Sequence, residues 1–240
     1  MMKNGLFFTA YNRPAYLRRT MDSWQKVRGF QDWPVYAMIE PSPFQNEILD
    51  IFTSVDHPNL VPIVNSKRLG VLEAPYVGFE GMFSPLMGYD FVVRAEDDLL
   101  VSTDILEYFT WAANQYRKDS EIGAINAYAL EHGPANTVAR VEKFSPLVWG
   151  TWADRWNSVI GPTWDHDYST HPGELAGWDW NIYLRVFPQN GLKVIRPEQS
   201  RVDNIGVYGV HATPENYQTS ESFVAERPEV IYRERTIIDT

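Results

Sequence analysis

The first 120 residues alternate short apolar runs with segments of helical hydrophobic spacing, and this alternation limits the fold more than any other feature of the chain. Four runs, "GLFFTAYN", "WPVYAMIE", "NLVPIVNSK" and "DFVVRAEDD", predict strands, with the last at the centre of a sheet. Segments such as "RPAYLRRTMDSWQKV" and "STDILEYFTWAANQYRKD" predict helices, the second capped by Ser102 or Thr103. Alternating strands and helices form a largely parallel sheet covered by helices, so we predict an α/β fold.

The pattern is less regular after about residue 120. We predict a strand at "EIGAINAYA", a partly helical Trp-rich segment at "LVWGTWADRWNSVI" and a loop at "GPTWDHDYSTHPG". A helix at "WDWNIYLRVFPQNG" and a strand with a turn at "LKVIRPEQSRV" follow, and the tail from Asp203 is irregular. No Gly/Ser-rich or charge-run linker divides the chain, which favours one domain over residues 1–240.

Composition excludes several classes of protein. The chain has no cysteine, so disulfides and cysteine-ligated zinc or iron–sulfur sites are excluded. The formal charge of −10 argues against a broad nucleic-acid-binding surface. No apolar run approaches the roughly 20 residues of a membrane span, and the start "MMKNGLFFTAYNRP" does not resemble a secretory signal. We therefore expect a cytoplasmic location.

Three carboxylates, Glu96, Asp97 and Asp98, follow the predicted central strand directly. Adjacent like charges repel, and burying even one costs several kcal/mol unless it is paired or bound to a cation. A divalent cation that bridges protein and substrate phosphates needs only one or two carboxylate ligands. The triplet by itself is compatible with two interpretations, a metal site or an acidic loop between a strand and a helix.

The segment "VVRAEDDLLVSTDILEYF" resembles the Glu-Asp-Asp segment of N-acetylglucosaminyltransferase I, the inverting GT-A glycosyltransferases of family 13. "FFTAYNRPAYLRRTMDSW" is similar to that family's first strand and nucleotide loop. "AGWDWNIYLR" is similar to its Trp-Asp-Asp-Trp helix, and "IRPEQSRVDNIGVYGVHA" to its Arg-Pro-Glu-x-Ser-Arg segment. The resemblance implies a single GT-A-type domain, with nucleotide-sugar binding in residues 1–120 and acceptor binding and the catalytic base in residues 121–240.

The same resemblance assigns roles to residues on the donor side. It implies that Asp98 is the direct ligand of Mn²⁺ or Mg²⁺, with Glu96 and Asp97 at the donor sugar and nucleotide. Arg13 and Glu40 match positions that bind the nucleoside portion of the donor.

His211 follows the Gly-rich stretch "IGVYGVHAT", and two interpretations of it stay open. The histidine either closes over the diphosphate on a mobile loop or is a surface residue.

Asp179 matches the catalytic base of the resembled family. A sugar hydroxyl is a poor nucleophile at neutral pH, so a carboxylate must take its proton as it attacks the anomeric carbon. The alternative is a carboxylate in the first turn of a helix that interacts only with the helix dipole.

Several other chemistry-bearing residues have structural interpretations. The segment "TWDHDYSTH", with Asp165, His166, Asp167 and His171, is more typical of a solvated loop than of a metal site, since its spacing fits no regular ligand face. Four tryptophans could stack on an acceptor sugar or pack in the core. The helical spacing of three of them favours the core for at least half. These are Trp149, Trp152, Trp156 and Trp178.

The sequence and the resemblance thus predict a metal-dependent, inverting glycosyltransferase that uses a nucleotide sugar. We expect the donor to be a UDP-sugar, with UDP-N-acetylglucosamine as one candidate. The chain lacks the anchor, stem and cysteines of Golgi enzymes, which favours a bacterial or viral type of enzyme acting on a glycan, lipid, protein or modified nucleic acid. One alternative is a nucleotidyltransferase, although no Gly-rich basic loop is present to cradle a triphosphate. The other is a noncatalytic carbohydrate-binding module built on the tryptophans.

Overall fold

A computed structural model describes residues 2–130, 133–167, 177–207, 220–228 and 232–234. In the N-terminal half, strands and helices alternate as predicted. In chain order they are β1 (Asn4–Ala10), α1 (Pro14–Trp24), β2 (Val35–Ile39), α2 (Gln45–Ser54), β3 (Leu60–Val64), α3 (Gly70–Phe83), β4 (Phe91–Glu96), β5 (Leu99–Val101) and α4 (Ile105–Gln115).

The C-terminal half contains more strands and shorter, irregular helices. Its strands are β6 (Ile122–Asn126), β7 (Thr137–Val141), β8 (Trp149–Trp152), β9 (Lys193–Pro197), β10 (Val202–Asn204) and β11 (Arg233–Glu234). Helix α5 (Ala153–Arg155) continues into a π-helix (Trp156–Ile160) and a 3₁₀ turn (Gly161–Thr163). Helix α6 (Trp178–Asn181) continues into a π-helix (Ile182–Val186) and α7 (Phe187–Gln189).

Nine strands form one sheet in the order β11-β7-β9-β6-β8-β4-β1-β2-β3. The side that contains β3, β2, β1 and β4 is parallel throughout, as expected for strands joined by helical crossovers. Strand β8 lies antiparallel between β4 and β6, so the other side is mixed. Strands β5 and β10 form a separate two-stranded antiparallel ribbon. The predicted α/β class with a mostly parallel sheet is confirmed.

Each face of the sheet has its own hydrophobic core. Helices α1, α2 and α4 cover one face with side chains such as Trp24, Phe52 and Phe109. Helix α3 and the Trp-rich segments cover the other face, where Phe79 and Trp156 are fully buried. Burial of one such side chain contributes about 1.5–3 kcal/mol, so both helical layers are firmly attached to the sheet. Within the described ranges, no helix combines the length and apolarity needed to cross a membrane.

The segment from Leu147 onward, predicted to be partly helical, is helical only from Ala153. Trp149 and Trp152 lie on strand β8, on opposite faces of the sheet, and only Trp156 belongs to a helical turn. A spacing of three residues puts side chains on one side of a helix but on opposite sides of a strand. Because both faces of this strand are buried, its apolar residues show no alternation from which a strand could be predicted.

The predicted cap of helix α4 is also wrong. The helix begins at Ile105 with Asp104 at the cap position, and no side chain caps it. The Ser102 hydroxyl instead donates to Asp104 at 2.6 Å. Asp104 is fully buried, and it also accepts hydrogen bonds from Arg201 and Tyr232. This carboxylate therefore ties the C-terminal segments to the sheet.

Candidate functional site

The acidic triplet lies at the carboxyl edge of the parallel half of the sheet. Strands β1 and β4 are neighbours, and their register places Thr9 beside Glu96. The loop after β1 therefore meets the loop after β4. Ligands of open α/β sheets bind in the crevice at this edge. The backbone N–H of Tyr11 donates to the Asp97 carboxylate at 3.2 Å, which joins the two loops directly.

Arg13 binds two carboxylates of the triplet at once. Its Nη2 lies 2.5 Å from Oδ1 of Asp97, and its Nη1 lies 2.6 Å from Oδ2 of Asp98. The planar guanidinium suits this arrangement because it presents donors in a fixed fork. Pro14 follows at the first position of helix α1, where its fixed φ is favourable. The helix start thus places Arg13 over the triplet.

Burial raises the pKa of both aspartates that Arg13 contacts. The pKa of Asp97 is raised chiefly by desolvation, which the Arg13 charge and the Tyr11 N–H oppose. The pKa of Asp98 is raised to about 7, first by burial and then by the charge of Glu96. An ionised Asp98 is therefore costly at neutral pH unless further positive charge is supplied.

Glu96 has a different arginine partner. Arg94, two residues earlier on strand β4, forms an ion pair with the Glu96 carboxylate. Arg94 is only 2% exposed, whereas a quarter of the Glu96 side chain is exposed. Side chains two apart on a strand lie on the same face, which explains the pairing. Glu96 therefore faces the crevice from a fixed position.

Asp179 lies near the acidic triplet although it is more than 80 positions later in the chain. It is in the first turn of helix α6. The helix begins at Trp178, directly after Gly177, whose φ is 124°. Burial raises the pKa of Asp179, backbone N–H groups lower it, and the charge of Glu96 raises it further. Its neighbour Trp178 packs against Arg94, with the guanidinium carbon 5.1 Å from the ring centroid. The structure thus brings Asp179 and the triplet to one edge of the sheet.

Glu40 lies at the next strand end along the same edge, but protein groups occupy its carboxylate. It accepts from Asn65 Nδ2 at 2.7 Å and from the backbone N–H groups of Leu69 and Gly70 at 2.7 and 2.9 Å. These donors hold the start of helix α3 against strand β2. A role for Glu40 in binding the nucleoside stays a prediction.

Two predicted features fall wholly or partly outside the described residues. His211 lies outside them, as does His171. The described part of "TWDHDYSTH" has His166 Nδ1 2.6 Å from a carboxylate oxygen of Glu73. Among the residues that the structure describes, no cluster of three or more His, Cys, Asp or Glu side chains could hold a metal by itself.

All four tryptophans considered for acceptor stacking are buried, none more than 3% exposed, as the core interpretation predicts. Trp178 stacks on Trp164 with centroids 4.8 Å apart and planes at 10°, and it also stacks on Trp149. Trp180, directly after Asp179, is partly exposed and lies near Tyr183, with ring centroids 6.1 Å apart. The aromatic surface beside Asp179 therefore comes from a tryptophan that the sequence analysis did not select.

Two further residues escaped the sequence analysis. Arg94 stands between the apolar residues of strand β4, where a charge is an unusual signal that the sequence itself contains. Gly206 lies directly against Asp98, because a Cβ added there would overlap the Asp98 carboxylate. Only the pairing of β5 with β10 brings Gly206 to the triplet, so sequence spacing gave no signal.

The donor set and charge of the site fit a hard divalent cation. The triplet and Asp179 present four carboxylates to two guanidinium groups, which leaves two negative charges uncompensated when all four are ionised. Carboxylate oxygens suit Mg²⁺ and Mn²⁺, and such ions need few protein ligands when a substrate diphosphate supplies the rest. Burial and the charge of Glu96 raise the pKa of Asp98, and the charge of Arg13 only partly opposes them.

The chain has a GT-A fold, with a large central sheet flanked by helices. Solved structures with this fold are similar to the chain. The mannosyltransferase PcManGT from Pyrobaculum calidifontis, in complex with GDP-Man and Mn²⁺, is 15% identical with a TM-score of 0.56, over 82% of this chain and 55% of that one. TarS residues 1–349 from S. aureus, in complex with UDP-GlcNAc, is 12% identical with a TM-score of 0.59, over 84% and 58%.

GalNAc-T7 with UDP, GalNAc and Mn²⁺ is a third similar structure, 13% identical with a TM-score of 0.59, over 91% of this chain and 45% of that one. The chain thus spans about half to three-fifths of the length of these three proteins. No protein-family model matches the chain, and no curated protein sequence matches it. At these identities the likeness establishes the fold.

Proposed function

We propose that the protein is a metal-dependent glycosyltransferase that moves a sugar from a nucleotide-sugar donor to an acceptor hydroxyl. The observation that carries the proposal is geometric: Trp178, the residue before Asp179, packs on Arg94, and Arg94 pairs with Glu96 at the carboxyl end of strand β4. Direct displacement at the anomeric carbon needs a base for the acceptor hydroxyl on one side of the crevice. It also needs a site for the nucleotide sugar on the other side, which the carboxylates of the triplet would form.

In the proposed reaction the acceptor oxygen attacks the anomeric carbon of the donor. The bond from that carbon to the phosphate oxygen breaks, and the nucleoside diphosphate leaves with the electron pair. Asp179 takes the proton of the acceptor hydroxyl, so its carboxylate must be ionised before the attack. A single displacement of this kind inverts the anomeric configuration, by analogy with inverting glycoside hydrolysis.

Asp98 is the residue that would hold a divalent cation, with the donor diphosphate supplying further oxygen ligands. When bound, the cation would stabilise the charge that grows on the departing diphosphate. Asp97 is nearly fully buried and held by Arg13 and the Tyr11 N–H, so it orients Arg13 on the nucleotide side. Glu96, partly exposed and fixed by Arg94, is available to accept hydrogen bonds from hydroxyl groups of the donor sugar.

The neighbours support a nucleotide-sugar donor without deciding which one. PcManGT was solved with GDP-Man and TarS with UDP-GlcNAc. We favour a UDP-sugar, with UDP-N-acetylglucosamine as the first candidate, because the segments around the triplet and Asp179 resemble those of N-acetylglucosaminyltransferase I. The acceptor belongs to a class that the C-terminal half selects, whether glycan, lipid, protein or nucleic acid.

Calorimetry with UDP, GDP, CDP and dTDP, with and without Mn²⁺, tests the proposal. We expect one nucleotide to bind in a Mn²⁺-dependent way, and we expect Asp98→Asn to abolish that dependence. Asp50→Asn, which removes an exposed carboxylate from α2, is the matched control and should bind as the wild type does. No binding of any nucleotide under either condition would refute the donor site.

A further inference from the structure

Arg94 is a buried cation in the interior of the central strand. It is 2% exposed, and the strand residues on either side of it, Val93 and Ala95, are fully buried and apolar. Removing a guanidinium from water costs several kcal/mol unless charges and hydrogen bonds compensate it. A methionine or leucine would fill the same space without that cost, so the charge itself needs a reason.

Arg94 contacts residues on both sides of the proposed crevice, Glu96 on the donor side and Trp178 on the acceptor side. Its Nη2 pairs with the Glu96 carboxylate and donates to Thr9 Oγ1 at 3.3 Å. Its guanidinium lies on the ring of Trp178, the residue before Asp179. Within the described part of the chain, its Nε and Nη1 have no hydrogen-bond acceptor. The charge is thus only partly compensated, although it is buried.

Trp178 packs in a stack of tryptophan rings, which restricts its orientation against Arg94. Trp164 lies on it nearly parallel, with centroids 4.8 Å apart, and Trp149 lies 5.8 Å away. Trp149 is also the residue opposite Arg94 in the β4–β8 register. The start of helix α6 is therefore packed against strand β4 through these rings and one guanidinium.

We propose that Arg94 is a positioning residue of the transfer reaction, which fixes Glu96 on the donor side and the Trp178–Asp179 turn on the acceptor side at a constant separation. This inference rests on the proposed function. Arg94 is too buried to touch substrate, so it acts through the two residues that it contacts. A fixed separation matters because an attacking oxygen and an anomeric carbon react only within a narrow range of distance and angle.

The guanidinium also has an electrostatic effect on the base. The positive charge of Arg94 lowers the pKa of Asp179, in opposition to burial and to Glu96. Lysine would keep the charge but not the planar stacking on Trp178 or the forked donors. The arrangement thus predicts that Arg94→Lys restores function only in part.

NMR of arginine side chains tests the contacts without any substrate. We expect slowly exchanging Arg94 guanidinium protons that are shifted by the Trp178 ring current. Trp178→Leu and Glu96→Gln should each move this resonance, while Arg155, a second buried arginine with its own tryptophan contact, should keep its resonance in all variants. The proposed contacts of Arg94 would be refuted if its guanidinium protons exchanged as fast as those of the exposed Arg18, or if their resonance did not change in Trp178→Leu.

Kinetics tests the role in the reaction, with donor hydrolysis by water as the measured turnover. Arg94→Met should lower kcat by about 10- to 100-fold, with nucleotide affinity changed by less than about threefold. Arg155→Met is the matched control. Arg155 is 8% exposed, donates to backbone carbonyls such as those of Arg117 and Asp119, and packs on Trp152, so its loss should lower stability but not kcat.

The outcomes separate this inference from the proposed function. If wild-type protein binds no nucleotide, the proposed function fails, and the reaction role of Arg94 fails with it. If wild-type protein turns over and Arg94→Met has an unchanged kcat, or loses no more than Arg155→Met at equal folded fraction, only the Arg94 proposal fails. A kcat loss confined to Arg94→Met, with partial recovery in Arg94→Lys, would support it.

Discussion

Replacing Asp98 by asparagine should stabilise the metal-free protein at neutral and alkaline pH. The pKa of Asp98 is raised to about 7 from an ordinary value of 3.8, and that value already includes the favourable charge of Arg13. At a pH between these two pKa values, Asp98 keeps its proton in the folded state and has lost it in the unfolded state. Stability therefore falls as pH rises through this window. Asparagine has nearly the same shape and does not ionise, so it avoids this loss.

The size of the effect follows from the pKa shift. A shift of about three units at about 1.4 kcal/mol each gives about 4 kcal/mol as the largest expected change. The difference in unfolding free energy between Asp98→Asn and wild type should be smallest below pH 4. It should grow by up to about 4 kcal/mol toward pH 8, and level off above pH 7.

Urea unfolding in the presence of a chelator, from pH 4 to pH 8, measures this difference. Addition of Mn²⁺ at pH 8 should stabilise the wild type and leave Asp98→Asn unchanged, since a ligand of the folded state shifts the unfolding equilibrium. A difference that stays constant between pH 4 and pH 8, or that changes in the opposite direction, would show that Asp98 is not the poorly compensated charge of this site.

Three other substitutions probe the site, and a fourth, Gly81→Ala, is a control for one of them. Asp179→Asn should lower kcat by about 10²- to 10⁴-fold while nucleotide affinity measured by calorimetry stays the same, because the base acts only in the chemical step. Gly206→Ala should displace the Asp98 carboxylate and weaken Mn²⁺ binding by about 10- to 100-fold in a titration. Gly81→Ala has open space at its Cβ and should instead stabilise helix α3 by about 0.5–1 kcal/mol. Arg13→Ala should lower stability by about 2 kcal/mol at pH 8 and by less at pH 5, where Asp98 is protonated, as urea unfolding would show.

The N-terminal half of the fold could be read from the sequence because its signals are local. Each predicted strand there is an apolar run, and each helix has one apolar side, as in α1 with Leu17, Met21 and Trp24 buried. The C-terminal half gave weaker signals. Strand β8 is buried on both faces, strand β5 has three residues, and the helices after β8 are broken into α, π and 3₁₀ turns. Short or doubly buried elements have no periodicity to detect.

The candidate site divides in the same way. The sequence alone determined that three adjacent carboxylates follow the central strand, because this is a matter of order along the chain. It also placed Arg13 at the start of the first helix and Asp179 at the start of a later one. The resemblance to a family attached roles to them.

Only the tertiary structure decided which charges compensate one another. Arg13 spans Asp97 and Asp98, and the pairing of Glu96 with Arg94 depends on both side chains lying on the same face of β4. Asp179 reaches the triplet because helix α6 packs through Trp178 onto the strand that carries Arg94. Apart from the Arg94–Glu96 pair, these relations join residues more than 80 positions apart. Electrostatic and packing energies depend on distance in space, and the order of residues along a chain does not contain that distance.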